Sequence, residues 1–257
     1  MLWYKSWLET RWRFLIGIAL LVCSAGASVL TWPQVQRLTP MLTSMAATQF
    51  HGAIGEKVRE AAAFARTFRG YVWSNWFNQN CVHSVTLFAI LLGVAGIVSE
   101  SGGALFTLSL PVSRKRLLGV RAGAGLSELF VLAVAPSLVI PLLAPSVGES
   151  FPLASVLVYG VCTFVVASMF FMFALLLSTV FGDPWRPLLM AVGVAIAFGT
   201  VETIIRLQAP AFGVFRVMSG ETWFRAGQLP WIGLLGCAAV SAIFYFVAAS
   251  NLERRDF

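Results

Sequence analysis

"SESGGALFTLSLPVSRKRLLGVR", Ser99 to Arg121, is the stretch on which the reading of this chain turns. The sequence on either side of it is almost continuously apolar. Inside it, Glu100 opens a short apolar and hydroxyl-bearing segment that Pro111 stops, and the basic cluster Arg114, Lys115, Arg116 and Arg121 follows. A soluble domain has no reason to set such a piece between two long apolar runs. A membrane protein does, because Lys and Arg collect in cytoplasmic loops.

Composition points the same way. Of 257 residues, 58% are hydrophobic and 11% charged, against about 25% charged in an ordinary soluble domain. There is too little polar residue to coat one buried core. Apolar runs of about 17 to 25 residues, enough to cross a bilayer, recur along the chain. The expectation is an all-α integral membrane protein forming one domain over residues 1–257, with the lipid bilayer as its first partner. The net charge of +7 fits Lys and Arg at membrane ends, and in so apolar a chain no nucleic-acid partner is expected.

Six transmembrane helices are expected, at about 14–32, 82–98, 117–144, 153–181, 187–205 and 230–249. Pro136 and Pro141 predict a kink near the far end of the third. An even number of spans puts both termini on one side. Lys5, Arg11, Arg13, the 114–121 cluster, Arg186, Arg254 and Arg255 would share it, which makes it the cytoplasm. The outer segments also carry eight Lys or Arg, so the assignment rests on how tightly the inner ones sit against span ends.

Three pieces do not span. Residues 2–13 alternate Trp3, Trp7, Leu8 and Trp12 with Lys5, Glu9, Arg11 and Arg13. At helical spacing that gives an aromatic face and a charged face, an amphipathic helix lying in the interface before the first span. Residues 33–79 form the largest outer segment, with Val58, Ala62, Ala65, Phe68 and Val72 on one helical stripe and Trp73, Trp76 and Phe77 at the interface. Residues 208–229 are too short and too broken by Pro210, Gly213, Gly220 and Gly227 to span. Their Phe212, Val214, Phe215 and Trp223 predict short re-entrant helices dipping into the outer leaflet.

Several chemistries are excluded by what is missing. None of the three lysines (Lys5, Lys57, Lys115) follows a glycine, so there is no P-loop to hold a nucleotide's phosphates. Asp183 and Asp256 fall at cytoplasmic ends, His51 and His83 are the only histidines, and no HExxH, GxSxG or intramembrane carboxylate pair exists. Cys23, Cys81, Cys162 and Cys237 have neither zinc nor disulfide spacing and read as small buried hydrophobes. The N-terminal "MLWYKSWLETRWRF" is too rich in Trp and charge for a cleavable signal. No catalytic or metal site is expected.

Two carboxylates do fall inside spans. Glu128 lies about eleven residues into the third, where an ionised group is costly. It is either a polar spot on a substrate path or one end of an interhelical hydrogen bond to a Ser or Thr. Glu202 precedes Arg206 by one helical turn, so the two can pair near the outer end of the fifth span, as a structural tie or as part of an outer gate. Gly119 and Gly123, four residues apart, would permit close helix approach.

Positive-inside topology accounts for the basic residues of the opening stretch but not for Gly102 to Leu110, neither a tight turn nor a span. A short helix carrying Leu105, Phe106 and Leu108 and ended by the Pro111 turn would project a ridge into the cytosol. This pattern resembles the cytoplasmic loop of the ABC type 2 permeases, membrane subunits of ATP-binding-cassette exporters. Glu100 matches their acidic residue, Gly102 their glycine, "SLPVSR" (Ser109–Arg114) their core and Arg121 their later basic residue. Gly103 stands where they have Thr, and Leu105 where an acidic residue is common. The ending "LERRDF" (Leu252–Phe257) is similar to theirs, and residues 2–13 look like their elbow helix.

The resemblance implies a permease that dimerises, as homodimer or heterodimer, and pairs with two separate ATPase subunits. ATP and Mg would sit on those partners and none on this chain. It implies a coupling helix between the second and third spans that uses Glu100, Gly102, Phe106, Leu108, Leu110, Pro111, Ser113, Arg114 and Arg121. The location implied is a bacterial cytoplasmic (inner) membrane with both termini inside. Two other readings stay open: a secondary transporter using Glu128, and a non-transporting scaffold or immunity factor. The substrate is not legible.

Overall fold

The computed structural model describes residues 2–38, 63–64, 66–94, 113–205 and 213–254, with no strand among them. Helix is what this sequence must form in hydrocarbon, because it satisfies every backbone N–H and C=O within one segment. In chain order come α1 (Leu2–Leu30), α2 (Phe68–Val72), a π-helical stretch (Trp73–Cys81), α3 (Val82–Gly93) and α4 (Arg114–Val134). A 3-10 turn (Pro136–Leu138), α5 (Val139–Leu143) and a second 3-10 turn (Ala144–Val147) extend α4. Then follow α6 (Leu153–Val180), α7 (Trp185–Ile205), α8 (Val214–Met218), α9 (Glu221–Ala226) and α10 (Trp231–Arg254).

Among the described residues five helices are long and apolar enough to cross a bilayer: α1, α4 with its extension, α6, α7 and α10. The expected break at Pro136 is present. Regular α-helix ends at Val134 and the chain continues as 3-10 turn, because proline's ring displaces the preceding turn and supplies no N–H.

Two expectations need correcting. Residues 2–13 are not a separate interfacial helix. They are the first turns of α1, a single 29-residue helix. Nothing between Leu2 and Ile16 breaks it, and Thr10 bonds back to the Ser6 carbonyl at 3.1 Å inside the same helix. Trp3, Trp7 and Trp12 remain exposed. The second correction concerns the start of span 82–98. α3 has 12 residues, about 18 Å, and residues 95–98 lie outside the described ones. Helical backbone instead continues backward through the π-helix to Phe68, where Ser74, Asn75, Asn78, Gln79 and Asn80 dilute the apolar character.

Contacts between distant residues order the bundle. α1 and α4 run parallel: Glu9 meets Arg121, Thr10 meets Glu128, and Gly26 lies beside Leu143. The stretch 68–93 runs back between them. Its start packs Phe68 on Trp32, and near its finish the Leu91 carbonyl accepts from Arg13 Nη1 at 2.7 Å. At one end, Lys115 pairs with Glu253 at 2.8 Å and Asn251 donates to Thr179. This basic end thus gathers the starts of α1 and α4 and the finishes of α6 and α10.

α6 is the central helix. Of its most apolar stretch 67% is buried, against 17% for α7 at the periphery. It packs against α10, α3 and α4. Small residues permit that approach: a Cβ on Gly93 would lie 2.5 Å from the Phe171 carbonyl oxygen, and Gly160 sits on Val134. Gly119 and Gly123, singled out by spacing, face Tyr245 of α10 and Trp3 of α1 instead. All four cysteines are free, and all but Cys23 are buried.

Candidate functional site

Between α7 and α10, with α6 as its floor, lies a cavity of about 1110 Å³. Phe170 and Phe173 floor it, Phe198 lines the α7 side, and Gly236 and Val240 line the α10 side. A second cavity of about 410 Å³ lies on the other flank of α7, against α3, and is lined by His83, Thr86, Ile90, Val192 and Thr200. α7 is therefore a helix with a groove on each side. Both volumes fall in or just above the range of small-molecule sites, about 300–1,000 Å³.

The end of the grooves away from the basic residues is closed by α8 and α9. The expected short helices after the fifth span are these two, and they enter the bundle. The Met218 carbonyl accepts from Thr163 Oγ1 at 3.2 Å, about 15 Å along α6 from Leu153 at 1.5 Å per residue. The Met218 sulfur lies 3.5 Å from Thr86 Oγ1 on α3. The Phe215 ring stacks between Phe170 at 5.8 Å and His83 at 6.1 Å, which wedges α8 between the two grooves. Gly220 makes the turn from α8 to α9 at φ 64°, where the Tyr159 ring would lie 2.6 Å from an added Cβ. Only glycine tolerates both the left-handed backbone and the approach.

Glu202 makes contacts that its spacing does not announce. Its carboxylate leaves α7 and accepts from two backbone N–H groups of α8, Phe215 at 2.9 Å and Arg216 at 3.0 Å. These are orphan donors of a helix first turn, and a carboxylate there also meets the positive end of the helix dipole. Gly213 makes room for it, since any Cβ at that position would overlap the Glu202 carboxyl. Arg206, the expected partner, lies outside the described residues. A second charged set follows: buried Glu221 lies 3.1 Å from Arg216 Nε and 2.7 Å from Arg225 Nε. The Glu221–Arg225 pair has one-turn spacing and was readable; the Glu202 clamp, across 13 residues, was not.

Glu128 is buried and accepts from Thr10 Oγ1 at 2.6 Å. Its other oxygen has no partner, and neither has Arg121 Nε, while Arg121 Nη1 reaches Glu9 at 3.3 Å. Glu9, Thr10, Arg121 and Glu128 thus form a polar seam between α1 and α4. Glu128 lines neither of the two grooves. Nothing in the sequence could pair it with Thr10, 118 positions away.

Of the expected coupling residues, Glu100, Gly102, Phe106, Leu108, Leu110 and Pro111 lie outside the described residues. Ser113 caps α4: its backbone is extended and its Oγ accepts from Arg116 N. Arg114 donates to the Leu252 carbonyl at 3.1 Å, in the last turn of α10. Arg121 belongs to the α1–α4 seam. The residues just after "SLPV" are thus tied into the bundle, and Arg114 ties α4 to α10.

Among the described residues no three His, Cys, Asp or Glu side chains gather to hold a metal ion. The chain matches no family model, no characterised protein and no solved structure.

Proposed function

We propose that the chain is the membrane-spanning permease subunit of an ATP-binding-cassette exporter of the ABC type 2 kind. It would cross the cytoplasmic membrane six times with the basic end inside. The run 68–93 would serve as the second crossing, because α1 and α4 begin at the same end.

One observation carries the reading. "SLPVSR" runs directly into α4, where Ser113 caps the helix and Arg114 holds the last turn of α10. A soluble subunit pressing on residues 99–112 would therefore act on α4 and α10 together, and α10 forms one wall of the larger groove. Two ATPase subunits, each holding ATP and Mg, would supply the motion, and a second permease copy would complete the path. The lack of a Gly-Lys phosphate loop fits that division of labour.

The test is reconstitution. The purified chain alone should hydrolyse no ATP, and it should raise the hydrolysis rate of a cassette subunit encoded beside it. A cassette subunit that neither co-purifies nor changes its rate refutes the proposal.

A further inference from the structure

We propose that the groove between α7 and α10 holds one membrane phospholipid with a phosphoethanolamine headgroup, its acyl chain along the apolar wall and its headgroup at Arg216 and Glu202. The inference does not rest on the transport reading and holds whether or not an ATPase binds.

Three observations carry it. The groove lies between two helices that themselves face the hydrocarbon. Trp231 and Ile232 on α10 and Val201 on α7 line it and are exposed large apolar side chains. An apolar trough of about 1110 Å³ opening onto that medium has acyl chains as its natural occupants.

The polarity is also confined to one end. The walls are aromatic and aliphatic, while Glu202, Arg216 and Thr222 line the groove where α8 and α9 close it. A tail-and-head molecule matches that layout, and a uniformly apolar one would leave the polar end unmet.

The third observation concerns sign. Both charges are present where the headgroup would sit. Arg216 Nε lies 3.1 Å from Glu221 as an ion pair, without a hydrogen bond, and the two terminal nitrogens of its planar fork are shaped for phosphate. Glu202 gives one lone pair of each oxygen to α8, which leaves acceptor capacity for an ammonium N–H. Phosphate on Arg216 and ammonium on Glu202 satisfy a zwitterion whose amine can donate. A trimethylated choline cannot donate, and a glycerol headgroup brings no cation.

The experiment is native mass spectrometry of the full chain, released from micelles equilibrated with equal amounts of chain-matched phosphatidylethanolamine, phosphatidylcholine and phosphatidylglycerol. One phosphatidylethanolamine should be retained, at least about tenfold over the other two, in the range set by leaving one buried polar group unsatisfied. Gly236→Phe fills the trough, and because no atom lies within 4 Å of the added Cβ the fold has room for it. It should abolish retention, whereas Gly193→Phe, equally unobstructed and outside the groove lining, should not. Arg216→Gln should keep a bound lipid but lose the headgroup preference. If Gly236→Phe fails to insert, the selectivity of Arg216→Gln decides alone. Equal retention of the three lipids by the parent chain overturns the proposal, as does full retention by Gly236→Phe. So does disulfide cross-linking between copies through Gly236→Cys in a chain lacking the native cysteines, which would assign the groove to a second subunit.

Discussion

Glu202→Ala is the sharpest perturbation the fold offers. The side chain holds the first turn of α8 by two hydrogen bonds, at 2.9 and 3.0 Å, and both run to a carboxylate. A hydrogen bond to a charged group contributes about 1.5–3 kcal/mol. Two of them set an upper limit of about 3–6 kcal/mol, and water reaching the vacated donors would return part of it. A cost of about 2–4 kcal/mol to local opening of α8 is the expected result. At 1.4 kcal/mol per tenfold, the amides of Phe215 and Arg216 should exchange with deuterium roughly 30 to 700 times faster. Hydrogen exchange read by mass spectrometry over residues 213–227 resolves a change of that size. Gly213→Ala should act in the same direction, because its methyl would occupy the carboxylate's place. The control is Thr200→Ala, whose hydroxyl bonds only its own helix at the Ile196 carbonyl. If Glu202→Ala speeds exchange no more than Thr200→Ala, Glu202 does not hold α8 and the clamp is refuted.

Other variants probe the remaining joints. Gly93→Ala drives a methyl to 2.5 Å from the Phe171 backbone oxygen, which cannot rotate away; it should cost about 1–3 kcal/mol in detergent unfolding, and an unchanged midpoint would contradict the α3–α6 contact. Thr10→Val leaves buried Glu128 without its donor and should cost about 1–3 kcal/mol, while Thr10→Ser restores it. Equal stability of the two variants would mean that the hydroxyl is not the partner. Lys115→Ala breaks an ion pair exposed at both ends and should leave stability unchanged; a clear drop in the unfolding midpoint would show that the α4–α10 junction depends on it.

Which parts were legible follows from the range of the forces involved. Helix positions came from composition and length alone, so 153–181 and 187–205 differ from α6 and α7 by one or two residues at an end. Pro136 stopped α4 because proline acts on its own preceding turn. The N-terminal helix was misjudged because an amphipathic pattern shows which faces differ, not where a helix ends. The start of the second span was placed late for a related reason. Its helical run begins at Phe68 and passes through the polar stretch 74–80, where hydropathy reads loop but the backbone remains helical. The groove, the Glu202 clamp and the Thr10–Glu128 bond were invisible because each joins residues distant in the chain. Gly213 and Gly220 were noted only as breakers, although each marks the close approach that the site needs.

On the proposed function, residues 99–116 receive force from a soluble ATPase. The most direct test of this is co-purification with that subunit, with ATP hydrolysis measured in the same preparation. Phe106→Ala and Leu108→Ala remove the apolar anchors, each expected to cost at least about 2 kcal/mol of binding, whereas Arg114→Ala removes a group already engaged by α10. Either apolar variant should lose the partner, or its stimulated hydrolysis, more severely than Arg114→Ala, with membrane insertion unchanged. Full partner binding and full stimulated hydrolysis in both apolar variants would contradict it and leave this stretch a positive-inside loop.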